Sequence, residues 1–273
     1  MQASRSRCIR CPEREPRGAS KGKASAYAKA TAVRYAILSD IHGNLEALEA
    51  CYAELDSADN LLCLGDVVGY GPNPNECARM LRERNTRCVL GNHDVAAIDN
   101  FGVEYFNPIA RRAIVWTQNV IDAETRSWLG SLDYEMRIEN FLMVHGSPER
   151  YFEYILDDAA AARAFAASDA PLIFIGHSHI AECYVMDAQG RITHQALTQG
   201  GDVELAAESR YIVNVGSVGQ PRDFNPAASF GLYEPERRLV RIVRVPYRIE
   251  RVQQKIHACS LPEQLAQRLT LGR

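Results

Sequence analysis

Six short apolar runs in this chain each end abruptly in a turn carrying glycine, a carboxylate, an amide or an imidazole. They are Tyr35–Leu38 before Ser39-Asp40-Ile41-His42, Leu61–Leu64 before Gly65-Asp66, and Val89-Leu90 before Gly91-Asn92-His93-Asp94. Phe141–Val144 before His145, Leu172–Ile175 before Gly176-His177-Ser178-His179, and Ile212–Val215 before Gly216-Ser217 complete the set. Apolar runs of this length bounded by glycine read as buried strands. In open α/β sheets ligands gather beyond the carboxyl ends of strands, so groups placed there converge in space although they are far apart in sequence. The layout predicts one site.

The segments between the runs supply the helical cover. Asn44 is placed to cap a helix whose stripe is Leu45, Leu48, Cys51/Tyr52 and Leu55. Asn73 as cap and Pro74 at the first position start another, ending near Glu83, and a third is expected from about Asp157 to Ala167. Residues 95–140 read as a helical, lid-like insertion with the aromatics Phe101, Tyr105, Phe106, Trp116 and Trp128. Filling the seam against the sheet is the favoured reading for these over facing a substrate. After His179 the pattern alternates with short connections: Cys183–Met186, Arg191–Leu197, Arg210–Val215, Phe230–Tyr233 and Leu239–Val245 predict a second, largely antiparallel set of strands. The expected fold is α/β, a four-layer α/β/β/α sandwich of two mixed sheets face to face with helices outside. Residues 249–273 close it with two short helices split at Leu261-Pro262.

At 273 residues the chain is long enough for one sizeable core, expected over 33–273. With 47% hydrophobic and 24% charged residues, and no apolar run near a membrane span, a membrane partner is excluded from the reading and a cytoplasmic protein is expected. Residues 1–34 hold nine Lys/Arg against two Asp/Glu, so a total charge of −3 hides a body near −10. An acidic body makes no strong nucleic-acid surface. Residues 1–32 lack apolar periodicity and read as a disordered basic leader without a signal-peptide core. Its Cys8-x-x-Cys11 pair has no second pair to complete a zinc knuckle. The eight cysteines read as small buried hydrophobes rather than a disulfide framework.

Five of the seven histidines, His42, His93, His145, His177 and His179, share strand-end addresses with Asp40, Asp66 and Asn92. A lone histidine in an apolar context is a core residue; five at one address point to a site. Carboxylate, amide and imidazole donors without thiolate suit Mn²⁺, Fe or Zn²⁺, and eight such groups exceed what one ion takes. His194 and His257 lie within a strand and a helix and read as structural.

The series Asp40-x-His42, Gly65-Asp66, Gly91-Asn92-His93-Asp94, His145 and Gly176-His177-x-His179 resembles the five-part signature of the calcineurin-like metallophosphoesterases, over roughly residues 35–245. The resemblance implies a dinuclear phosphoesterase with two divalent ions, Mn²⁺ first and Fe, Zn²⁺ or Ni²⁺ as alternatives, acting on a phosphate ester. It implies Asp40, His42, Asp66 and His179 at the first ion, Asp66 as the bridge, and Asn92, His145 and His177 at the second. His93 would assist at the phosphoryl or leaving-group oxygen, with Asp94 either orienting its ring or capping a helix. Tyr70 stands where the protein phosphatases and the symmetrical dinucleoside tetraphosphate hydrolases of this superfamily carry an arginine, which argues against both substrate classes. The Gly-Tyr-Gly-Pro-Asn-Pro loop and the segment Asn214–Asp223 look instead like the small bacterial and archaeal phosphodiesterases. Arg222 is the candidate replacement phosphate contact or an exposed loop arginine. The alternatives are a non-enzymatic metal-binding interaction module on the same fold, as in a retromer subunit, and a phosphomonoesterase or protein phosphatase.

Overall fold

The computed structural model describes residues 33–55 and 59–273, so the basic leader expected over 1–32 lies outside the described residues. Twelve strands are described: Tyr35–Leu38 (β1), Asn60–Cys63 (β2), Arg87–Cys88 (β3), Glu135–Ile138 (β4), Phe141–Val144 (β5), Leu172–Ile175 (β6), Ala181–Met186 (β7), Ile192–Ala196 (β8), Gly201–Glu204 (β9), Arg210–Val215 (β10), Ala228–Glu234 (β11) and Leu239–Val245 (β12). The helices are Leu45–Ala53 (α1), Pro74–Glu83 (α2), Asn92–Asp99 (α3), Pro108–Val120 (α4), Ala123–Leu129 (α5), Asp158–Ala167 (α6), Ile249–Ala258 (α7) and Glu263–Leu271 (α8).

Helix starts follow local chemistry. The Asn44 side chain accepts from the Ala47 amide at 3.1 Å, and that of Asp157 accepts from Ala160 at 2.8 Å, each satisfying an amide that the first turn leaves open. Asn73 departs from its expected capping role. Pro74 occupies the first position of α2, and the Asn73 side chain instead accepts from Lys255 Nζ at 2.9 Å, tying α7 to the body.

Two six-stranded mixed sheets form, in the orders β3-β2-β1-β11-β12-β9 and β4-β5-β6-β10-β7-β8. Alternation along each strand divides the apolar residues between layers. Ile37, Leu62 and Leu64 of the first sheet region meet Phe141, Met143, Phe174 and Val213 of the second in a core between the sheets. Leu38 and Cys63 face outward onto Leu48 and Cys51 of α1 and Cys77 and Leu81 of α2. On the other side, Leu142, Val144, Ile173 and Ile175 pack on Ala161, Ala164 and Phe165 of α6. The four-layer arrangement is thus the one that the apolar pattern calls for.

The assignment of strands to sheets differs from the sequence expectation. The strands after His179 do not form a sheet of their own: β7, β8 and β10 extend the sheet of β5 and β6, while β9, β11 and β12 join β1 to β3. The reason is burial. β10 and β11 are almost wholly buried and take central places, one in each sheet, whereas the largely exposed β8 and β9 take edges. The 95–140 stretch also carries β4 after its helices, where helix alone was expected. Val89-Leu90 extends β3 by only an isolated bridge from Val89 to Asp133.

β1, β2 and β3 run parallel, as do β5, β6 and β10, so each group presents its carboxyl ends together. Five of the described cysteines are buried and none of the six is bonded to another. Among the described residues no helix is long and apolar enough to cross a membrane.

Phe174 is fully buried between the sheets, its ring 5.5 Å from that of Phe141 and 5.7 Å from that of Tyr233. Phe174→Ala is expected to lower unfolding stability by about 3–5 kcal/mol, read from denaturant titration, because a close-packed core fills such a cavity only in part.

Candidate metal centre

The turns after five of the six runs are laced together by backbone hydrogen bonds, and the Gly91–Asp94 turn joins through the side chains of Asp66 and Asp94. Asp40 and His42 amides donate to the Gly65 and Asp66 carbonyls at 3.0 and 2.9 Å; Val218 and Gly219 donate to Ser39 and Asp40, both at 2.9 Å; Gly176 donates to His145 at 2.8 Å. This lacing lets residues from both sheets meet. It also holds the backbone in an uncommon state: Asp40, His42, Asp66, His177 and His179 all have φ between 49° and 65°. Left-handed backbone costs a non-glycine residue about 1–3 kcal/mol and persists only where the surroundings over-determine it, which is characteristic of functional sites.

Two glycines make the close approach possible. A Cβ on Gly91 would lie 2.0 Å from Asp66 Oδ1, and one on Gly176 would lie 2.5 Å from Asp40 Oδ2. No larger residue fits either position while those carboxylates stay where they are.

Four of the five clustered histidines, all but His93, are each oriented by a main-chain carbonyl. Nδ1 of His42 bonds Val68 O at 3.1 Å, Nδ1 of His145 bonds Leu64 O at 2.8 Å, and Nδ1 of His179 bonds Gln220 O at 2.6 Å. His177 is turned the other way, with Nε2 3.0 Å from Phe152 O. A carbonyl only accepts, so the ring nitrogen beside it carries the proton and the other nitrogen of a neutral ring presents a lone pair. Those second nitrogens face one another: His42 and His179 Nε2 are 3.1 Å apart, as are His145 Nε2 and His177 Nδ1. Two lone pairs at that distance repel unless a cation, or a proton on one ring, lies near both.

The carboxylates complete the arrangement. Asp40 Oδ2 accepts from Ser39 Oγ at 2.6 Å and from the His177 amide at 3.0 Å, while its Oδ1 has no hydrogen-bond partner and lies 3.2 Å from His179 Nε2. Asp66 Oδ1 accepts from the His93 amide at 2.8 Å, and its Oδ2 lies 3.5 Å from His42 Nε2 and 3.4 Å from His145 Nε2. The donor atoms fall into two groups able to hold an ion, Asp40 with His42, Asp66 and His179, and Asp66 with His145 and His177; Asp66 belongs to both. Asn92 Oδ1 is likewise buried without a partner. The fit to divalent cations rests on this chemistry: inward lone pairs and orphaned carboxylate and amide oxygens, with no thiolate.

Electrostatics within the cluster agree. Burial alone would raise Asp66, but His145, His93 and His42 outweigh it and hold the carboxyl well below the usual range. Asp40 is lowered in the same way, burial being overcome by His179 and His145. Burial would lower His145, yet Asp66 and Asp40 push it up to about 10; His177, where burial dominates and His145 adds repulsion, falls to about 3. A proton on His145 occupies the place that a metal cation would take, so binding an ion there displaces it.

His93 stands beside this cluster, its ring 4.4 Å from that of Tyr70 and 4.6 Å from that of Phe106, and its Nδ1 is buried without a partner. Burial carries it down to about 4, opposed by Asp66. Asp94 does not orient that ring. Its two oxygens accept from the amides of Val68 and Gly91, both at 3.1 Å, so of the two roles expected for Asp94 the structure displays the cap on α3. Arg222 is half-buried at the edge of the cluster: its Nη2 donates to Tyr70 Oη at 3.4 Å and to Gln220 Oε1 at 3.1 Å, and its Nε is buried and unpartnered. Tyr70 packs on His42 and His93, and its hydroxyl meets the Arg222 guanidinium, which comes from another loop.

His194 and His257 lie outside the cluster, paired with Glu182 at 2.8 Å and Glu263 at 3.0 Å. Trp116 and Trp128 pack against the helical clusters, as the seam-filling reading has it, but Phe101 and Tyr105 remain 64% and 86% exposed. Sequence reasoning missed Tyr154, whose ring stacks on His177 at 3.9 Å, and Phe152 and Gln220, whose carbonyls aim two histidines. Carbonyl contacts leave no trace in side-chain identity, and the Tyr151–Tyr154 loop matches no motif.

The profile of the calcineurin-like phosphoesterase superfamily domain matches residues 33–238. An uncharacterised protein of Methanocaldococcus jannaschii, MJ0912, is 38% identical over 246 residues, covering 87% of this chain and 98% of its own. The crystal structure of a metallophosphoesterase from Sphaerobacter thermophilus is 39% identical and superposes with a TM-score of 0.78 over 89% of this chain and 100% of that one. The hypothetical protein PH1004 of Pyrococcus horikoshii shares the fold at 20% identity, with a TM-score of 0.72 over 88% of this chain and 99% of its own. With the Asp/His cluster at the strand ends and these likenesses together, the chain belongs to the calcineurin-like metallophosphoesterase superfamily.

Proposed function

We propose that the protein is a dinuclear metal-dependent phosphoesterase that cleaves phosphodiesters, with Mn²⁺ the first choice of ion. The observation that carries this reading is the sharing of Asp66 between two donor groups whose imidazole lone pairs face inward in pairs. Asp40, His42, Asp66 and His179 hold one ion; Asp66, Asn92, His145 and His177 hold the other. Divalent ions bound there supply Lewis-acid polarisation of a phosphoryl oxygen and a nucleophilic water at neutral pH.

The chain's own residues do the rest. His93, kept neutral by burial, donates a hydrogen bond to the phosphoryl or leaving-group oxygen. Arg222 grips a non-bridging oxygen, its buried Nε offering a donor that the protein leaves unused. Tyr70 and Phe106 hold the His93 ring from two sides and keep water from it.

Metal-stripped protein titrated with Mn²⁺ is expected to gain hydrolysis of bis-p-nitrophenyl phosphate, and His93→Ala to lower the turnover by about 10²–10³-fold. Turnover of p-nitrophenyl phosphate exceeding that of the diester would reverse the choice of ester. Binding is read separately from activity. At about 100 times its dissociation constant, Mn²⁺ is expected to raise unfolding stability by about 2.7 kcal/mol, and Asp66→Asn to abolish that gain in a thermal melt.

A further inference from the structure

Beside the metal centre lies a cavity of about 350 Å³ whose walls are aromatic. Phe101, Tyr105 and Phe106 come from the turn between α3 and α4, and Phe152 and Tyr154 from the loop after β5. Asn92 and His177, both placed at the second ion, form its inner end. Phe101, Tyr105 and Tyr154 are exposed at 64%, 86% and 46%, so three large rings stand in water around one opening. The neighbouring Trp116 and Trp128, by contrast, are partly buried against the helical clusters.

We propose that this cavity holds the nucleobase of a nucleotide ester, which makes a nucleoside phosphodiester the substrate class; the inference rests on the phosphoesterase reading above. The charge pattern fits such a ligand and no purely aliphatic one. One end is a cation-binding cluster flanked by Arg222, whose guanidinium lies beside the Tyr154 hydroxyl, and this end receives the phosphate. The other end offers ring faces, on which a flat base stacks whatever its edge pattern. The volume lies within the range of about 300–1,000 Å³ usual for pockets that enclose small ligands.

The two ends are mechanically one unit. The Phe152 carbonyl fixes the His177 ring at 3.0 Å, and two residues later Tyr154 stacks on that same ring with an interplanar angle of 11°. A base entering against Tyr154 and Phe152 therefore presses on the loop that aims a metal-binding histidine. The base and the phosphate are thus read by one stretch of chain.

The test compares two ligands differing only in the base, adenosine 5′-monophosphate and ribose 5-phosphate, by isothermal titration of the Mn²⁺-loaded protein. Adenosine 5′-monophosphate is expected to bind at least about tenfold more tightly, and Phe101→Ala and Tyr105→Ala each to shrink that ratio several-fold. Both side chains are exposed, so truncation opens no cavity in the core. Equal affinity for the two ligands overturns the proposal, as does a preference that survives both substitutions together. Hydrolysis of a dinucleotide and of glycerophosphoethanolamine is followed in parallel. A base preference in binding, with neither ester cleaved, upholds the base pocket while removing the phosphoesterase reading. Cleavage of both esters with no base preference keeps the enzyme and removes the pocket.

Discussion

Four backbone carbonyls, those of Leu64, Phe152, Val68 and Gln220, decide which nitrogen of each histidine faces the centre. The chemistry proposed for the molecule depends on that choice, because an imidazole turned end for end offers an N–H where a cation would need a lone pair. The carbonyls belong to turns that immediately follow strands or to the loop after β5, and the turns are held by one another's amides. Lone-pair direction is therefore a property of the main chain. A side-chain substitution in the core reaches it only by moving a strand end.

This explains the concentration of left-handed backbone at the centre. A strand that simply ran on would carry its next side chains to alternate faces of the sheet. At Asp40, His42, Asp66, His177 and His179 the chain turns sharply instead, and each turn brings a donor atom inward. Glycine occupies the neighbouring places where two such turns touch, as at Gly91 against Asp66 and Gly176 against Asp40. Stability is spent in strain on the few residues of the Asp/His cluster and recovered from three apolar layers around it.

Much of this was legible in the sequence because its signal is local. β1, β5 and β6 coincide with their apolar runs, and α2 begins where Asn73-Pro74 announces it. The edge strands were not: β4 has only Met136 and Ile138 as apolar residues, and β9 buries Val203 alone, so neither produces a run. The distribution of late strands between the sheets was equally hidden, since β10 and β11 differ from their neighbours by burial on both faces and not by composition. At the site, the motif residues Asp40, His42, Asp66, His145, His177 and His179 that the sequence singles out are ones that the fold brings together. The role of Asp94 was not legible there, because a carboxylate next to a histidine and at the third position of a helix satisfies both descriptions until its partners are seen. Tyr154 escaped for a related reason: its importance lies in a stacking partner twenty-three residues away.

The position of β11 has a consequence in time. β1, which leads into Asp40 and His42, is flanked on one side by β2, close in sequence, and on the other by Ala228–Glu234, nearly two hundred residues later. The turn Ser217–Gln220, which braces Asp40 and aims His179, also lies in the last quarter of the chain. Pairings of such separation form slowly and only once the late segments exist. As the chain leaves the ribosome, its Asp40-x-His42 motif therefore waits, unframed, until most of the remaining protein has been made. The cluster of aspartates and histidines is thus completed by the topology itself only when the late strands have docked.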